Sequence, residues 1–368
     1  MDKYKFIFSL LFAIIGCSTK NTVDHDVVLT SIPVYESNLE ITDAILLETN
    51  HSNLLGTSLE VKFNNEFFWI LDLDNRDGIH GFNKLGRYHG LVALVGEEPG
   101  KVSGISDFLI GDNGIETLTS LGDRVAITSF SYANNLKFEI ELPYNCYSFE
   151  KEGNDYWIYS GYNKVAGEKR LKLVSNKGEL KQDYLQNNFN DALLPFVEPS
   201  FFKLKEGILF KEALSPLVYS LDRSKLEVRY NFDFGRFQTP IEFWQLDPFE
   251  GFEMLNKNGF ATINYVSESS DYFLVEILIQ TGFNTSKELL LNKKSNGNWI
   301  KLLITEDDNG YFYNPIGIEG DKVIFISYAP YIVRNFSKLN MSTQAEKELS
   351  KLKEESNHAI LYVQIPEI

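Results

Sequence analysis

The chain has 368 residues, 43% of them hydrophobic and 14% aromatic, enough apolar material for a large folded core and too much for a disordered chain. Its 35 basic and 51 acidic side chains leave a formal charge of −16, which argues against a nucleic-acid binder, since that needs a basic surface to displace phosphate counterions. Two cysteines exclude a disulfide-rich scaffold and a four-cysteine zinc site.

The first sixteen residues read MDKYKFIFSLLFAIIG. Lys3 and Lys5 form a basic start, and Phe6 to Ile15 an apolar run too short to span a bilayer as a helix. With Ile14-Ile15-Gly16 before Cys17, this end resembles a bacterial lipobox. The resemblance implies a signal peptide over residues 1–16, cleavage after Gly16 and lipidation of Cys17. No other stretch is long and apolar enough to cross a membrane as a helix. Residues 17–38 are polar and aperiodic, as in a flexible tether between lipid and folded domain. Ser18-Thr19-Lys20-Asn21 lacks the acidic run that directs some relatives to the cell surface. The expected location is therefore the cell envelope, on the outer membrane, with the periplasmic side favoured over the surface.

From Ile41 onward the pattern has period two. Leu59-Glu60-Val61-Lys62-Phe63, Lys137 to Leu142 and Lys322 to Ile326 alternate as strands do when one face is more deeply buried. Asn64-Asn65, Asp77-Gly78, Asp112-Asn113-Gly114, Asn176-Lys177-Gly178 and Glu319-Gly320-Asp321 separate such runs, and these residues accept the positive φ of tight hairpins. Repeating units can be drawn around Phe67 to Asp72, Asp155 to Tyr159, Gly207 to Phe210, Phe260 to Ile263 and Val323 to Ile326. Their spacing fits propeller blades or a pair of β domains. Near the end, Thr343 and Glu346 have capping-box spacing, and Ala345, Leu349 and Leu352 form one apolar stripe. This predicts a short surface helix with a docking face before a last strand at Ala359 to Val363.

Several segments, taken in order, resemble the six-bladed β-propeller lipoproteins of Bacteroidota, relatives of NHL and TolB-like propellers. They are Ala44 to Thr49 with Leu54-Leu55-Gly56, Trp69 to Asp72, Phe82 to Arg87, Val95 to Lys101 with Ile105 to Phe108, Leu217 to Leu221 with Phe232 to Gly235, and Asn357 to Leu361. Glu98 and Lys101 depart from the family pattern, as do His358 and Ala359. The resemblance implies an all-β, six-bladed β-propeller over residues 39–368 with one short C-terminal surface helix. It also implies that Ala44 to Glu48 shares a blade with the C-terminal strands. It carries no catalytic residues across.

The chemistry-bearing residues give no recognised constellation. Asp72-x-Asp74-x-Arg76-Asp77-Gly78 superficially resembles a calcium loop, but Arg76 occupies a ligand position and the plain reading is a turn. Glu306 to Gly310 reads as a hairpin tip. His25, His51, His80, His89 and His358 form no close pair; His80 and His89 could meet across a hairpin, although partly exposed structural histidines are the plainer reading. Cys146 reads as a buried inert thiol, and the Ser350-x-x-Lys353 spacing as chance. Trp244 and Tyr311-Phe312-Tyr313 either pack in loops or line the propeller face. No catalytic, cofactor or metal residues are assigned. The leading expectation is a lipid-tethered binding or protein-interaction module with a protein, glycan or peptide ligand. The alternative is an extracytoplasmic glycan or peptide hydrolase or lyase with an acidic site at the propeller face, marked by carboxylates of perturbed pKa. A purely structural envelope role fits the same sequence.

Overall fold

Runs such as Phe67-Phe68-Trp69-Ile70-Leu71 are apolar at every position, the pattern of a strand covered on both sides rather than one. The computed structural model, which describes residues 26–35, 39–162, 167–187, 198–205, 207–222, 225–282, 284–302 and 314–367, shows what covers them. Six sheets, each built on four antiparallel strands, form the blades of a propeller. Blade I holds Leu59–Phe63, Phe67–Asp72, Ile79–Asn83 and Tyr88–Val92; blade II holds Asp107–Gly111, Gly114–Ser120, Val125–Ser131 and Leu136–Leu142. Blade III holds Ser148–Glu152, Asp155–Tyr159, Lys169–Ser175 and Leu180–Gln186; blade IV holds Phe201–Lys203, Ile208–Lys211, Leu217–Asp222 and Lys225–Asp233. Blade V holds Phe260–Glu268, Tyr272–Thr281, Asn284–Lys293 and Asn298–Leu302. Blade VI holds Asn314–Glu319, Lys322–Ser327 and Ala359–Gln364, and takes Ile41–Leu46 as its outer strand. The first strands of blades I and II, II and III, III and IV, and V and VI touch one another around the axis.

The core is six layers, one between each pair of neighbouring blades. Phe68 and Ile70 pack toward Ile316, Ile324 and Ile360 of blade VI, while Trp69 and Leu71 pack toward Phe108, Ile115 and Phe130 of blade II. Alternate residues of one strand thus enter two different layers, which is why the second strands lack a polar face. The repeat was hardest to see in blade II, whose second strand buries Glu116, Thr117 and Thr119.

Every outer edge is interrupted or covered. In blades I, II, III, IV and VI the outer strand carries one extra residue (His89, Lys137, Lys181, Arg229 and Thr42), a bulge that spoils the edge for further pairing. Residues 26–35, expected to belong to a flexible tether, are docked instead. Asp26–Val28 adds a parallel strand to the edge of blade IV, and Val34–Tyr35 does so on blade V. Val27, Leu29 and Ile32 are buried against both blades, and this apolar spacing is the signal that the polar composition obscured.

Among the described residues three α-helices lie in the connections. The expected C-terminal helix spans Thr343–Leu349; Ser342, not Thr343, caps it by accepting from Ala345 N at 3.1 Å. Ala345 and Leu349 dock it on the closing strand Ile41–Leu46, and Met341 bridges to Ile41. Numbered in chain order, this is α3. The sequence reading missed α1 (Pro248–Asn258) and α2 (Ala329–Asn335). α1 had a usable signal, since Asp247 caps it, Pro248 opens it and Gly259 at φ 79° ends it.

Closure of the ring depends on a few groups at the start of the third strand of blade VI. Asn357 is 2% exposed, its Nδ2 donates to the carbonyls of Glu48 and Asn53 (both 2.8 Å), and its Oδ1 accepts from Leu55 N at 2.9 Å. Leu47 N donates to the His358 carbonyl, and Glu48 N to that of Gly86. A Cβ on Gly86, at φ 78°, would lie 2.0 Å from the Leu46 carbonyl oxygen, so only glycine fits. His358 is fully buried, with neither ring nitrogen hydrogen-bonded among the described residues. Burial, only partly opposed by the charge of Asp72, lowers its pKa from 6.5 to about 4.

Asn357→Ala leaves three backbone groups without their partner, that of Asn53 buried and those of Glu48 and Leu55 partly so, and should cost about 3 kcal/mol in a urea melt. A loss under about 1 kcal/mol would show that the seam does not depend on it. Above pH 6.5 the ring of His358 is neutral in both folded and unfolded chains. As pH falls from 6.5 to about 4 only the unfolded chain gains the proton, so stability drops by up to about 3 kcal/mol; below that no more is lost. The difference between wild type and His358→Gln across that window isolates this step, and parallel profiles would refute it.

Candidate functional site

The inner strands carry charge to the axis. Glu60 and Lys62 lie two residues apart on the first strand of blade I, so they share a face. Lys62 Nζ lies 2.8 Å from Asp107 Oδ1 at the start of blade II and donates to the Phe108 carbonyl at 2.5 Å. The other Asp107 oxygen accepts from Ser148 Oγ at 2.7 Å and Phe149 N at 3.0 Å, both on blade III. One carboxylate therefore joins three blades. Glu150, 4% exposed, lies 3.5 Å from Lys203 of blade IV. Lys151 reaches Glu116 at 2.5 Å, and Tyr156 donates to the same carboxylate at 2.8 Å.

Glu60 is the exception in this wiring. Lys62 Nζ is 3.1 Å from its Oε1 as an ion pair, and that buried oxygen accepts no hydrogen bond among the described residues. Burial raises the Glu60 pKa to about 7; Lys62 opposes the rise and Asp107 adds to it. Burial also raises the Glu150 carboxyl, against the pull of Lys203. Lys62 is held charged: burial disfavours its ammonium, but Asp107 and Glu60 outweigh that. A carboxyl that is half-protonated near neutral pH can exchange a proton, the property a general acid or base requires.

A second wire joins blades III and IV away from the axis. Arg170 forms a bidentate pair with Glu212, at 2.6 and 2.9 Å, and Tyr159 donates to Glu212 at 3.1 Å. Both charged groups are buried, so each depends on the other.

The face that carries the connections between blades has a rigid platform beside blade I. Asp72 accepts from Gly56 N, Asp74 N and Asn75 Nδ2 at 2.7, 2.9 and 2.6 Å. Asp74 accepts from Thr57 N at 2.6 Å and Ser58 N at 3.0 Å, and these backbone donors lower its pKa. The calcium-like spacing is thus a turn whose oxygens serve N–H donors, with Arg76 at φ 53°. Asn75 Nδ2 also donates to the Leu54 carbonyl at 3.1 Å, tying the loop before blade I to the turn within it. On this braced platform Leu54 is 49% and Leu73 38% exposed.

Other singled-out residues fall as follows. Cys146 is buried, and burial, reinforced by Asp107, pushes its thiol far up, so it is inert. His80, expected to be partly exposed, is buried with Nε2 3.0 Å from Asp77 Oδ1. It pairs across the hairpin with Leu91, so His80 and His89 do not meet; His89 packs on Phe67 instead. Trp244 packs against Tyr162 and Phe243, with ring centroids 4.5 and 4.9 Å away. Ser350 Oγ donates to the Lys347 carbonyl and Lys353 lies toward Glu355, so the serine–lysine spacing makes no pair. Glu98 and Lys101, the two departures in the loop after blade I, form an ion pair with each other at 3.0 Å. Cys17, His25, Glu306 to Gly310 and Tyr311 to Tyr313 lie outside the described residues. The axial cluster was missed because its members sit on four blades, and only Glu60 and Lys62 are near in sequence.

The chain belongs to the family described as Domain of unknown function (DUF4934), whose profile matches residues 36–364. No curated protein matches it in sequence. Among solved structures, a candidate exported protein of Bacteroides fragilis NCTC 9343 superposes with a TM-score of 0.75 at 16% identity, over 93% of this chain and 99% of that one. A member of the DUF4221 family from Bacteroides vulgatus ATCC 8482 gives 0.55 at 9% identity, over 90% and 99%. At such identities the likeness establishes the shared fold. Among the described residues no helix is long and apolar enough to cross a membrane.

The axial wiring has a direct test. Glu60 should titrate near pH 7 by carboxyl-carbon NMR. Lys62→Met should raise that midpoint and Asp107→Asn lower it, following the sign of each charge. Lys62→Met should also destabilise the fold by about 3 kcal/mol, because Asp107 then stays buried without its cation. A Glu60 midpoint in the ordinary carboxylate range overturns this account.

Proposed function

We propose that the protein is a lipid-anchored propeller of the cell envelope, on the periplasmic side of the outer membrane, that acts as a binding or protein-interaction module. The observation that carries the binding reading is the platform beside blade I. Two large apolar side chains, Leu54 and Leu73, are held in water on loops that Asp72, Asp74 and Asn75 brace. Rigid loops with exposed apolar groups lose little freedom on docking a partner, which suits recognition of a protein or peptide. The anchor reading rests on Lys3, Lys5, the apolar run and Gly16-Cys17.

A second reading is favoured by one observation, the raised Glu60 carboxyl at the axis. It is that of an extracytoplasmic hydrolase or lyase using Glu60 as acid or base. Glu60→Gln keeps the shape and removes the proton exchange. Abolished turnover of an envelope glycan or peptide in that variant would establish this reading.

Two results are expected in cells. Cys17→Ala abolishes lipid labelling and membrane fractionation; retention of both sinks the anchor. Photo-crosslinkers at positions 54 and 73 capture a discrete envelope partner, whereas one at the comparably exposed Leu136 on blade II does not. Equal capture at all three positions would remove the platform from the argument.

A further inference from the structure

Among the described residues, the most exposed large hydrophobic side chains are Phe249 at 78%, Ile241 at 76% and Leu85 at 74%. Leu85 is on a hairpin of blade I. Ile241 and Phe249 lie together on the insert between blades IV and V. Ile241 begins a short helical turn and Phe249 sits in the first turn of α1. Phe243 and Phe252 join the two elements, and a Cβ on Gly251 would sit 3.0 Å from the Phe243 ring, so the insert is closely packed. It presents apolar groups outward from a firm base.

The chain's N-terminal segment arrives in the same sector. Val28 pairs with Asp233, where the outer strand of blade IV ends and the insert begins. Val27, Leu29 and Ile32 share one core layer with Phe234 and Phe237 at the root of that insert. Val28, Val34 and Val228 on this rim are exposed as well, at 41%, 45% and 37%. From Cys17 to Asp26 is nine residues, a reach of at most about 30 Å. A lipid on Cys17 therefore holds this sector, and not blade I on the far side of the ring, near a bilayer. The neighbouring exposed charges are mainly acidic, Glu242, Asp247, Glu250 and Glu253, with Arg236 and Lys257 opposing. Such a surface gains from apolar insertion and is repelled by anionic headgroups.

We propose that the sector of blades IV and V is the face the protein lays on a zwitterionic lipid surface, with Ile241 and Phe249 entering the headgroup layer. It deepens the lipid-anchor reading and depends on an anchor at the N-terminus. It leaves the platform at Leu54 and Leu73, beside the opposite blade, free for a partner.

The test replaces the natural anchor, so that its failure is separate from failure of lipidation. Residues 18–368, which contain every described element, are tethered by an N-terminal hexahistidine to nickel-chelating phosphatidylcholine vesicles. Cys146 is then the only native cysteine and is buried, so a polarity-sensitive dye can be placed on Phe249→Cys, Ile241→Cys or Leu85→Cys. The expected result is a severalfold rise in emission at 241 and 249, quenched by nitroxide-labelled lipid, with no change at 85. Without the tag, Ile241→Ser/Phe249→Ser should weaken vesicle binding by about tenfold or more. Adding phosphatidylglycerol should weaken it for the unmodified chain. Equal emission at the three positions overturns the proposal. So does emission at 249 that rises with protein concentration in the absence of vesicles, which would assign the surface to a second copy. Stronger binding to anionic vesicles overturns the zwitterionic assignment.

Discussion

The structure depends on the seam in blade VI, where Ile41–Leu46 pairs with Ala359–Gln364. Each blade is covered on both faces only while both neighbours are present, so a ring opened at one point exposes two apolar layers at once. The chain places polar wiring there. Asn357 satisfies backbone groups on three residues near the other end of the chain, and Gly86 admits a backbone contact that any side chain would block. The N-terminal segment extends the closure beyond blade VI. It runs along the rims of blades IV and V and covers their edges before entering the last sheet, so sequence-distant parts are held by main-chain pairing.

The axis obeys a related constraint. Inner strands converge where there is too little room for large apolar side chains on every blade, and charged groups placed there must find partners. Asp107 meets blades I and III at once, and Lys62 stays charged because of it. A Glu60 oxygen without a hydrogen bond is the residue of that arrangement, and its raised pKa, with that of Glu150, gives the axis carboxyls that resemble tuned catalytic groups. Elsewhere two exposed apolar regions lie on opposite sides of the ring. One is braced by aspartates beside blade I, and the other is borne by α1 beside the N-terminal segment.

Much of the fold was legible in residue pattern. Leu59–Phe63 alternates in sequence because Leu59, Val61 and Phe63 pack toward blade VI while Glu60 and Lys62 turn to the axis, and Leu136–Leu142 is an outer strand exposed over most of its length. Phe67–Asp72 is continuous because it is central. Lys322–Ser327, expected to alternate, is buried from Val323 to Ser327 because it too is central and covered on both faces. Ala345 and Leu349 announced the docking face of α3. Residues 26–35 were not legible, because three apolar residues in a polar stretch mean little until two sheet edges are there to receive them. The bulges were also hidden. An extra residue such as Lys137 or Lys181 shows itself only as a break in register against its neighbour.

The sequence by itself determined the strand-rich class, the turns between strands and the turn chemistry of Asp72 and Asp74. These are local, set by periodicity and by side chains that bond to nearby backbone. Only the tertiary structure decided that Glu60, Lys62, Asp107 and Glu150 share one axis, that His80 and His358 are buried, and that the N-terminal segment and α1 occupy one sector. Each follows from distance in space between residues far apart in the chain, and from the loss of solvent that such meetings impose.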